Sequence, residues 1–235
     1  MAVEALVFDV FGTCVDWRTG VAMEIARVAN AKGIALDPVR FADAWRGRYQ
    51  PAMEVIRSGR RSYTELDLLH RENLDATLAA FAVDRHFTGR DRTELNRAWE
   101  KLPPWQDVVP GLSRLKTLFI IAPCSNGSIA LMTRLARYGS LPWDCILGAG
   151  IARAYKPDPR VYLASCAALQ LSPESVMMVA AHNRDLEAAR GAGLMTAFIP
   201  RPDEFGEGGS AETTPSSDWD HVAQDFGGLA TQLGC

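Results

Sequence analysis

The chain has 235 residues, with 25 basic and 28 acidic side chains and a formal net charge of −3. This length is enough to bury a large core, which excludes a small protein that depends on disulfide or metal staples. The near balance of charge excludes the basic surface expected of a protein that binds nucleic acid or an anionic membrane.

Short apolar runs recur along the chain, and they predict the strands of a parallel sheet that is buried on both faces. The runs are ALVF at 5–8, LFIIAPC at 118–124, SVMMVAA at 175–181 and MTAFIP at 195–200. Helical segments alternate with them: Asn126 or Ser128 can cap a helix over 129–139, Asp158-Pro159 opens another over 160–170, and 184–193 ends on Gly191 or Gly193. The alternation predicts an α/β fold with a doubly wound, mostly parallel sheet.

About a hundred residues separate the first strand from the next, far more than a crossover connection needs. Their pattern is helical from Thr19 to about Glu100. We therefore predict an all-helical cap domain at 17–100, inserted into an α/β core domain formed by 1–16 and 101–235. From Glu204 the sequence EFGEGGSAETTPSSDWD predicts a loop or a partly mobile segment, before a weak last helix.

Polar residues follow three of the predicted strands: Asp9, Ser125-Asn126 and the stretch from His182 to Asp185. In open α/β sheets, ligands bind in the crevice beyond the carboxyl ends of the strands. An acid at one strand end is often only a helix cap or a turn former. The convergence of three such ends favours a functional site.

Four motifs now carry a family resemblance: DVFGT at 9–13, CSNGS at 124–128, YKPDPRVY at 155–162 and VAAHNRDLEAARGAGL at 179–194. In order and spacing they resemble the haloacid dehalogenase superfamily. Together with AWRGRY at 44–49 they resemble its type II, or L-2-haloacid dehalogenase, branch. The resemblance implies hydrolysis of short 2-haloalkanoic acids, such as haloacetate and L-2-halopropionate, to 2-hydroxy acids.

The superfamily also contains many phosphatases, and two positions argue against that activity. Phosphatases of this type use Asp-x-Asp, in which the second Asp protonates a departing alkoxide. Here that position is Phe11, and a halide, as a weak base, leaves without a proton. Such phosphatases also hold Mg²⁺ with an acid four residues before the position of Asp185, which here is Ala181. One hard oxygen ligand is missing, so we predict no metal and no cofactor.

Counting charges predicts what replaces the metal. The nucleophile Asp9, the substrate carboxylate, Asp185 and the departing halide are all negative, so at least two cations are required. The resemblance supplies Lys156, which should keep Asp9 ionised, and Arg46, which should receive the halide. Arg48 is a nearby rival for the second role, and an exposed helix charge is the structural alternative for Arg46.

The resemblance also assigns the remaining site residues. Ser125, with backbone N–H groups near Val10 and Phe11, is expected to hold the substrate carboxylate, and Asn126 is expected to face the halide. Thr13 resembles the threonine that donates to the nucleophile, and Tyr162 resembles a tyrosine of the site. The structural alternatives are a helix cap for Ser125, a turn for Thr13 and a core position for Tyr162.

The best-known type II pattern has SSNAWD where this chain has AAHNRD at 180–185, so asparagine becomes His182 while Asp185 is retained. His182 can orient or activate the hydrolytic water, line the halide pocket or be a structural histidine. Asp185 is expected to position Lys156 and the water. Tyr63 of the cap is expected among the aromatic residues around the halide.

The expected mechanism has two steps. Asp9 attacks the carbon that bears the halogen, inverts it and forms an aspartyl ester, and water then attacks the ester carbonyl. Three alternatives stay open: a phosphatase, a hydrolase that opens a strained ring next to a carboxylate, and a binding protein without activity. The preferred halide and the enantiomer are open as well.

Cellular context and assembly rest on composition alone. The five cysteines are odd in number and widely spaced, which indicates reduced thiols in a cytosol. The sequence begins without a basic leader, and no apolar run approaches ~18 residues, so we expect a cytoplasmic protein. A 2-haloacid and its halide are the expected partners, and a homodimer is left open.

Overall fold

The structure, a computed structural model, describes residues 2–235, so Met1 of the predicted core segment lies outside it. Its centre is a sheet of six parallel strands in the order β3-β2-β1-β4-β5-β6. The strands are β1 (Ala5–Phe8), β2 (Ile120–Ser125), β3 (Leu147–Gly148), β4 (Val176–Ala180), β5 (Met195–Phe198) and β6 (His221–Val222). The four predicted strands and the doubly wound α/β class are confirmed.

The central strand β1 is buried on both faces, which explains its unbroken apolar run. Ala5 pairs with Ile120 of β2 on one side and with Val176 of β4 on the other. Successive side chains of a strand point to opposite faces. Leu6 and Phe8 accordingly enter one hydrophobic cluster, whereas Ala5 and Val7 enter a second cluster on the other face.

The chain between β1 and β2 is helical, as the sequence predicts. Asp16 caps the first of these helices by accepting from Thr19 N at 2.9 Å, and Asp37 caps the second. The segment contains α1 (Trp17–Ala31), α2 (Pro38–Gly47), α3 (Tyr49–Arg57), α4 (Leu66–Ala80) and α5 (Gly89–Asn96), with 3-10 turns at Asp84–His86 and Arg97–Glu100. Phe41, Trp45 and Trp99 of this segment join the same hydrophobic cluster as Leu6 and Phe8.

The remaining helices flank the sheet. They are α6 (Val108–Leu115), α7 (Ile129–Gly139), α8 (Ala149–Ala152), α9 (Pro159–Leu169), α10 (Asn183–Gly191) and α11 (Phe226–Gln232), with a 3-10 turn at Pro173–Ser175. Ser128 is the cap of α7, Asp158 is the cap of α9, and Gly193 has the left-handed φ of 91° after α10. Within residues 2–235, none of the helices combines the length and the apolar content needed to cross a membrane.

Candidate active site

The three predicted polar strand ends meet beyond the carboxyl edge of the sheet, and Asp9 lies at their centre. The residue is 7% exposed, and both oxygens of its carboxylate accept hydrogen bonds. Lys156 Nζ lies 2.9 Å from Oδ1, and Thr13 Oγ1 donates to Oδ2 at 2.7 Å. Burial opposes ionisation, but Lys156, His182 and Thr13 outweigh it and hold the pKa of Asp9 well below its usual range. Asp9 is therefore an ionised carboxylate at neutral pH.

Lys156 joins Asp9 to the second acid of the site, Asp185. Its ammonium also bonds Asp185 Oδ2, and Tyr162 OH donates to Asp185 Oδ1 at 2.5 Å. Burial disfavours the charged amine, but the two carboxylates raise the pKa of Lys156 above its usual range. Burial and the neighbouring Asp9 charge raise the pKa of Asp185, against the effect of Lys156. Both acids thus share one buried cation.

This arrangement does not fit a Mg²⁺ site. The Lys156 ammonium binds both Asp9 and Asp185, residue 181 supplies only a methyl group, and Mg²⁺ requires a near-octahedral set of oxygen ligands. Across residues 2–235, no group of three or more His, Cys, Asp and Glu side chains is arranged to hold a metal ion.

His182 forms the other side of the site, and it lies between two carboxylates. Its Nδ1 is 3.1 Å from Asp9 Oδ2, and its Nε2 is 2.9 Å from Glu204 Oε2. Burial favours the neutral ring, but hydrogen bonds and charge from Asp9 and Glu204 raise the pKa of His182 to about 10. The site at rest therefore contains an imidazolium as well as the Lys156 ammonium.

Glu204 is a site residue that the sequence analysis did not predict. It lies in the segment predicted as a partly mobile loop, yet it is 2% exposed, and its Oε1 accepts from Trp17 Nε1 at 3.1 Å. Gly12 makes room for it, since a Cβ there would lie 2.2 Å from Glu204 Oε1, and the φ of 90° at Gly12 also disfavours a side chain. Its position in the sequence could have indicated a site role, because Glu204 follows the carboxyl end of β5.

Arg46, on the last turn of α2, faces the acids from the helical segment. Its guanidinium packs against four aromatic rings: Tyr49 at 4.0 Å, Trp17 at 5.2 Å, Phe11 at 5.7 Å and Trp99 at 5.8 Å from the ring centroids. Its Nη1 is buried and makes no hydrogen bond within residues 2–235. Arg46 is thus a cation that is held by aromatic faces and retains a donor for an anion.

A cavity of about 430 Å³ connects these groups. Seven of the predicted site residues line it: Asp9, Phe11, Arg46, Asn126, Lys156, His182 and Asp185. Arg48, the rival of Arg46, does not line it. Tyr63 was predicted near the halide, and this was wrong: it packs against Tyr155, at 5.4 Å between ring centroids, in a separate pocket.

Four predicted residues are not among those that line the cavity: Val10, Thr13, Ser125 and Tyr162. Thr13 and Tyr162 support Asp9 and Asp185, as described above. The backbone N–H groups of Val10 and Phe11 donate no hydrogen bond within residues 2–235, while Ser125 Oγ accepts from Gly127 N at 3.1 Å. Their role in binding a carboxylate stays a prediction.

Asn126 lines the cavity and fixes the position of a neighbouring segment of its wall. It is 7% exposed, and its Oδ1 accepts from the backbone N–H of Lys156 at 2.8 Å. This bond ties the end of β2 to the segment that carries Lys156, and Ser128 takes the helix-capping role.

Comparisons with known proteins identify the family of this chain. A family model described as haloacid dehalogenase-like hydrolase matches residues 3–193. The chain is 30% identical to (S)-2-haloacid dehalogenase 1 of Pseudomonas sp. (strain CBS-3), over 86% of this chain and 88% of that protein. It is 28% identical to (S)-2-haloacid dehalogenase 4A of Burkholderia cepacia, over 85% of this chain and 84% of that protein.

Among solved structures, the defluorinating L-2-haloacid dehalogenase Rha0230 superimposes with a TM-score of 0.97 at 48% identity, over 99% of this chain and 96% of that one. The L-2-haloacid dehalogenase PA0810 gives a TM-score of 0.94 at 41% identity, over 99% of this chain and 100% of that one. The likeness therefore extends over sheet and helical segment together.

Proposed function

The chain belongs to the haloacid dehalogenase-like hydrolase family, and we propose that it converts haloacetate and L-2-halopropionate to 2-hydroxy acids through an ester on Asp9. It is a hydrolase of the (S)-2-haloacid dehalogenase type that acts on carbon–halide bonds. One observation carries the mechanism: the buried Asp9 and the apolar Phe11 line the same cavity, so the nucleophile has a phenyl ring at the position where a phosphatase needs a proton donor. Residues 17–100 serve as the cap domain, and 1–16 with 101–235 form the core domain.

In the first step, the substrate carboxylate binds the free N–H groups of Val10 and Phe11, with Ser125 nearby. An Asp9 oxygen attacks the carbon that bears the halogen, and the carbon–halogen bond breaks with inversion. The halide leaves as an anion toward the unpaired Nη1 of Arg46, with Asn126 beside it. Neither a proton nor a metal is needed, because halide is a weak base.

In the second step, water attacks the carbonyl carbon of the Asp9 ester. Asp185 stays bound to Lys156, and it positions both Lys156 and the attacking water. His182 Nδ1, 3.1 Å from Asp9 Oδ2, is the second group that can reach this water. The bond between the Asp9 carbonyl carbon and the ester oxygen breaks. The alcohol oxygen of the product therefore comes from Asp9.

Fluoride belongs among the proposed leaving groups. The relative at 48% identity is described as defluorinating. Fluoride is small and accepts hydrogen bonds strongly, which suits the buried guanidinium donor of Arg46 within its aromatic rings.

Halide release from fluoro-, chloro- and bromoacetate and from both 2-chloropropionate enantiomers tests the proposal. Asp9→Asn is the control, and it should abolish release. An aryl phosphate with and without a chelator is assayed in parallel. Chelator-sensitive phosphate release that is faster than halide release would favour the phosphatase, and turnover of a strained-ring carboxylate alone would favour the related hydrolase.

A further inference from the structure

His182 has two carboxylate partners, but the proposed reaction uses only one of them. Asp9 reacts, whereas Glu204 touches neither the carbon nor the halide. Glu204 is nonetheless fixed from both sides: Oε2 is 2.9 Å from His182 Nε2, and Oε1 accepts from Trp17 Nε1 at 3.1 Å. With water as the nucleophile of the second step, His182 as its base and Glu204 as the group that orients the base form the usual arrangement of an activated nucleophile.

Asp185 is less suited than His182 to take a proton from water. Both of its oxygens already accept hydrogen bonds, one from Lys156 and the other from Tyr162. His182 differs because the reaction itself removes one of its partners. Once Asp9 is an ester its negative charge is gone, and Nδ1 faces a neutral group at the place where the water must attack.

We propose that Glu204 is a positioning residue that holds His182 for ester hydrolysis, and that His182 releases its proton to solvent as the halide leaves. This inference rests on the proposed function. In the first half-reaction, the Asp9–carbon bond forms, the carbon–halogen bond breaks, and halide and the His182 proton both depart. In the second, water adds to the ester carbonyl, and its two protons end on the departing alkoxide and on His182. The sum is substrate plus water giving 2-hydroxy acid, halide and one proton.

The charges around the ring support this order. At rest, Asp9 and Glu204 together raise the pKa of His182 to about 10 against the effect of burial. Esterification removes one of the two carboxylates, so that pKa falls. The substrate carboxylate does not replace the Asp9 charge, because it is held at the Val10 and Phe11 N–H groups. The other charged groups of the cavity are Arg46, Lys156, Arg184, Asp185 and Glu212.

The timing of the proton is the direct test. Enzyme in excess over chloroacetate is mixed at pH 8 with a pH indicator, and halide and glycolate are followed in quenched samples. The proton should appear together with the halide, one for each chloroacetate consumed, before glycolate. Glu204→Asp is followed in the same way, because slower hydrolysis separates the two phases further. A proton that appears with glycolate overturns the proposal.

Removing the charge of Glu204 tests its role. Glu204→Gln should slow hydrolysis by on the order of 10²-fold or more, while one halide per site is still released in a burst. Its His182 ring should titrate lower than in the wild type when the Cε1–H signal is followed by NMR. Unchanged hydrolysis or unchanged His182 titration in Glu204→Gln contradicts the positioning role.

Matched controls separate positioning from folding. Glu24→Gln makes the same change in a carboxylate that pairs with Lys101 at 2.8 Å and does not line the cavity, and it should leave both the hydrolysis step and the His182 titration close to wild type. If Glu24→Gln and Glu204→Gln behave alike, the effect at Glu204 is only structural. His182→Gln should release one halide per site without a proton. If the wild-type enzyme releases no halide at all, the proposed function is wrong. If it releases halide but the proton appears only with glycolate, only this inference is wrong.

Discussion

Replacing Lys156 with Met tests whether one buried cation holds the two acids of the site together. The Lys156 side chain is 6% exposed, and those of Asp9 and Asp185 are 11% and 10% exposed. The substitution keeps the apolar stem and leaves two buried carboxylates without their shared partner. Removing one member of a buried ion pair costs about 3–5 kcal/mol, so we expect a loss of that size in the free energy of unfolding at pH 7.

Lys116→Met is the matched control. Lys116 Nζ lies 2.7 Å from Asp144 Oδ1, as close as Lys156 is to Asp9, but its side chain is 38% exposed and that of Asp144 is 36% exposed. Solvent screening reduces such a pair to about 0–1 kcal/mol, although Lys116 also donates to the Pro142 carbonyl. Because the two lysines differ in burial, the loss in the free energy of unfolding should be larger for Lys156→Met than for Lys116→Met.

The loss at Lys156 should also depend on pH. In the wild type the pKa of Asp9 is lowered, so its contribution to stability is present above its ordinary pKa and is lost only in strong acid. In Lys156→Met, two adjacent buried carboxylates have raised pKa values, so mild acid protonates one of them in the folded state. Urea unfolding at pH 7 and pH 5 should show a smaller loss at pH 5. Equal losses for Lys156→Met and Lys116→Met, or a loss that does not change with pH, would refute this reasoning.

Two further predictions concern the cations around the cavity. Arg46→Lys should lower halide release by on the order of 10²-fold, because a lysine lacks the planar fork, whereas Arg48→Lys should change the rate little; steady-state halide release checks this, and equal effects would contradict it. The pKa of His182 is raised from 6.5 to about 10, so its contribution to stability is complete below pH 6.5 and is lost as the pH rises toward 10. In urea titrations across this range, His182→Gln should lack that decline in the free energy of unfolding. An equal decline in the variant would show that His182 is not its cause.

The fold follows from the sequence wherever the pattern is long. β1, β2, β4 and β5 are continuous apolar runs because both faces of the sheet are covered. β3 and β6 have two residues each, and two residues carry no periodicity. They form because neighbouring strands pair with them, and such pairing is not visible in the local sequence.

The candidate site, like the fold, could be predicted only in part from the sequence. Asp9, Asn126 and His182 follow predicted strands, so the rule for strand ends predicts that they lie close together. Glu204 lies in a stretch whose Gly and Ser content predicts a loop, and its contact with Trp17 spans 187 positions of the chain. The prediction for Tyr63 was wrong because Tyr63 lies in the loop between α3 and α4, and a helical pattern does not fix where a loop residue packs.

The identity of the atom that water attacks tests the mechanism most directly. A single turnover of chloroacetate in heavy-oxygen water, with enzyme in excess, is followed by mass spectrometry of the Asp9 peptide and of the glycolate. If Asp9 forms an ester that water opens at the carbonyl carbon, the label enters the Asp9 carboxylate, and the glycolate hydroxyl is unlabelled. Label in the glycolate hydroxyl with none in Asp9 would mean that water attacks the substrate directly, which would contradict nucleophilic catalysis by Asp9.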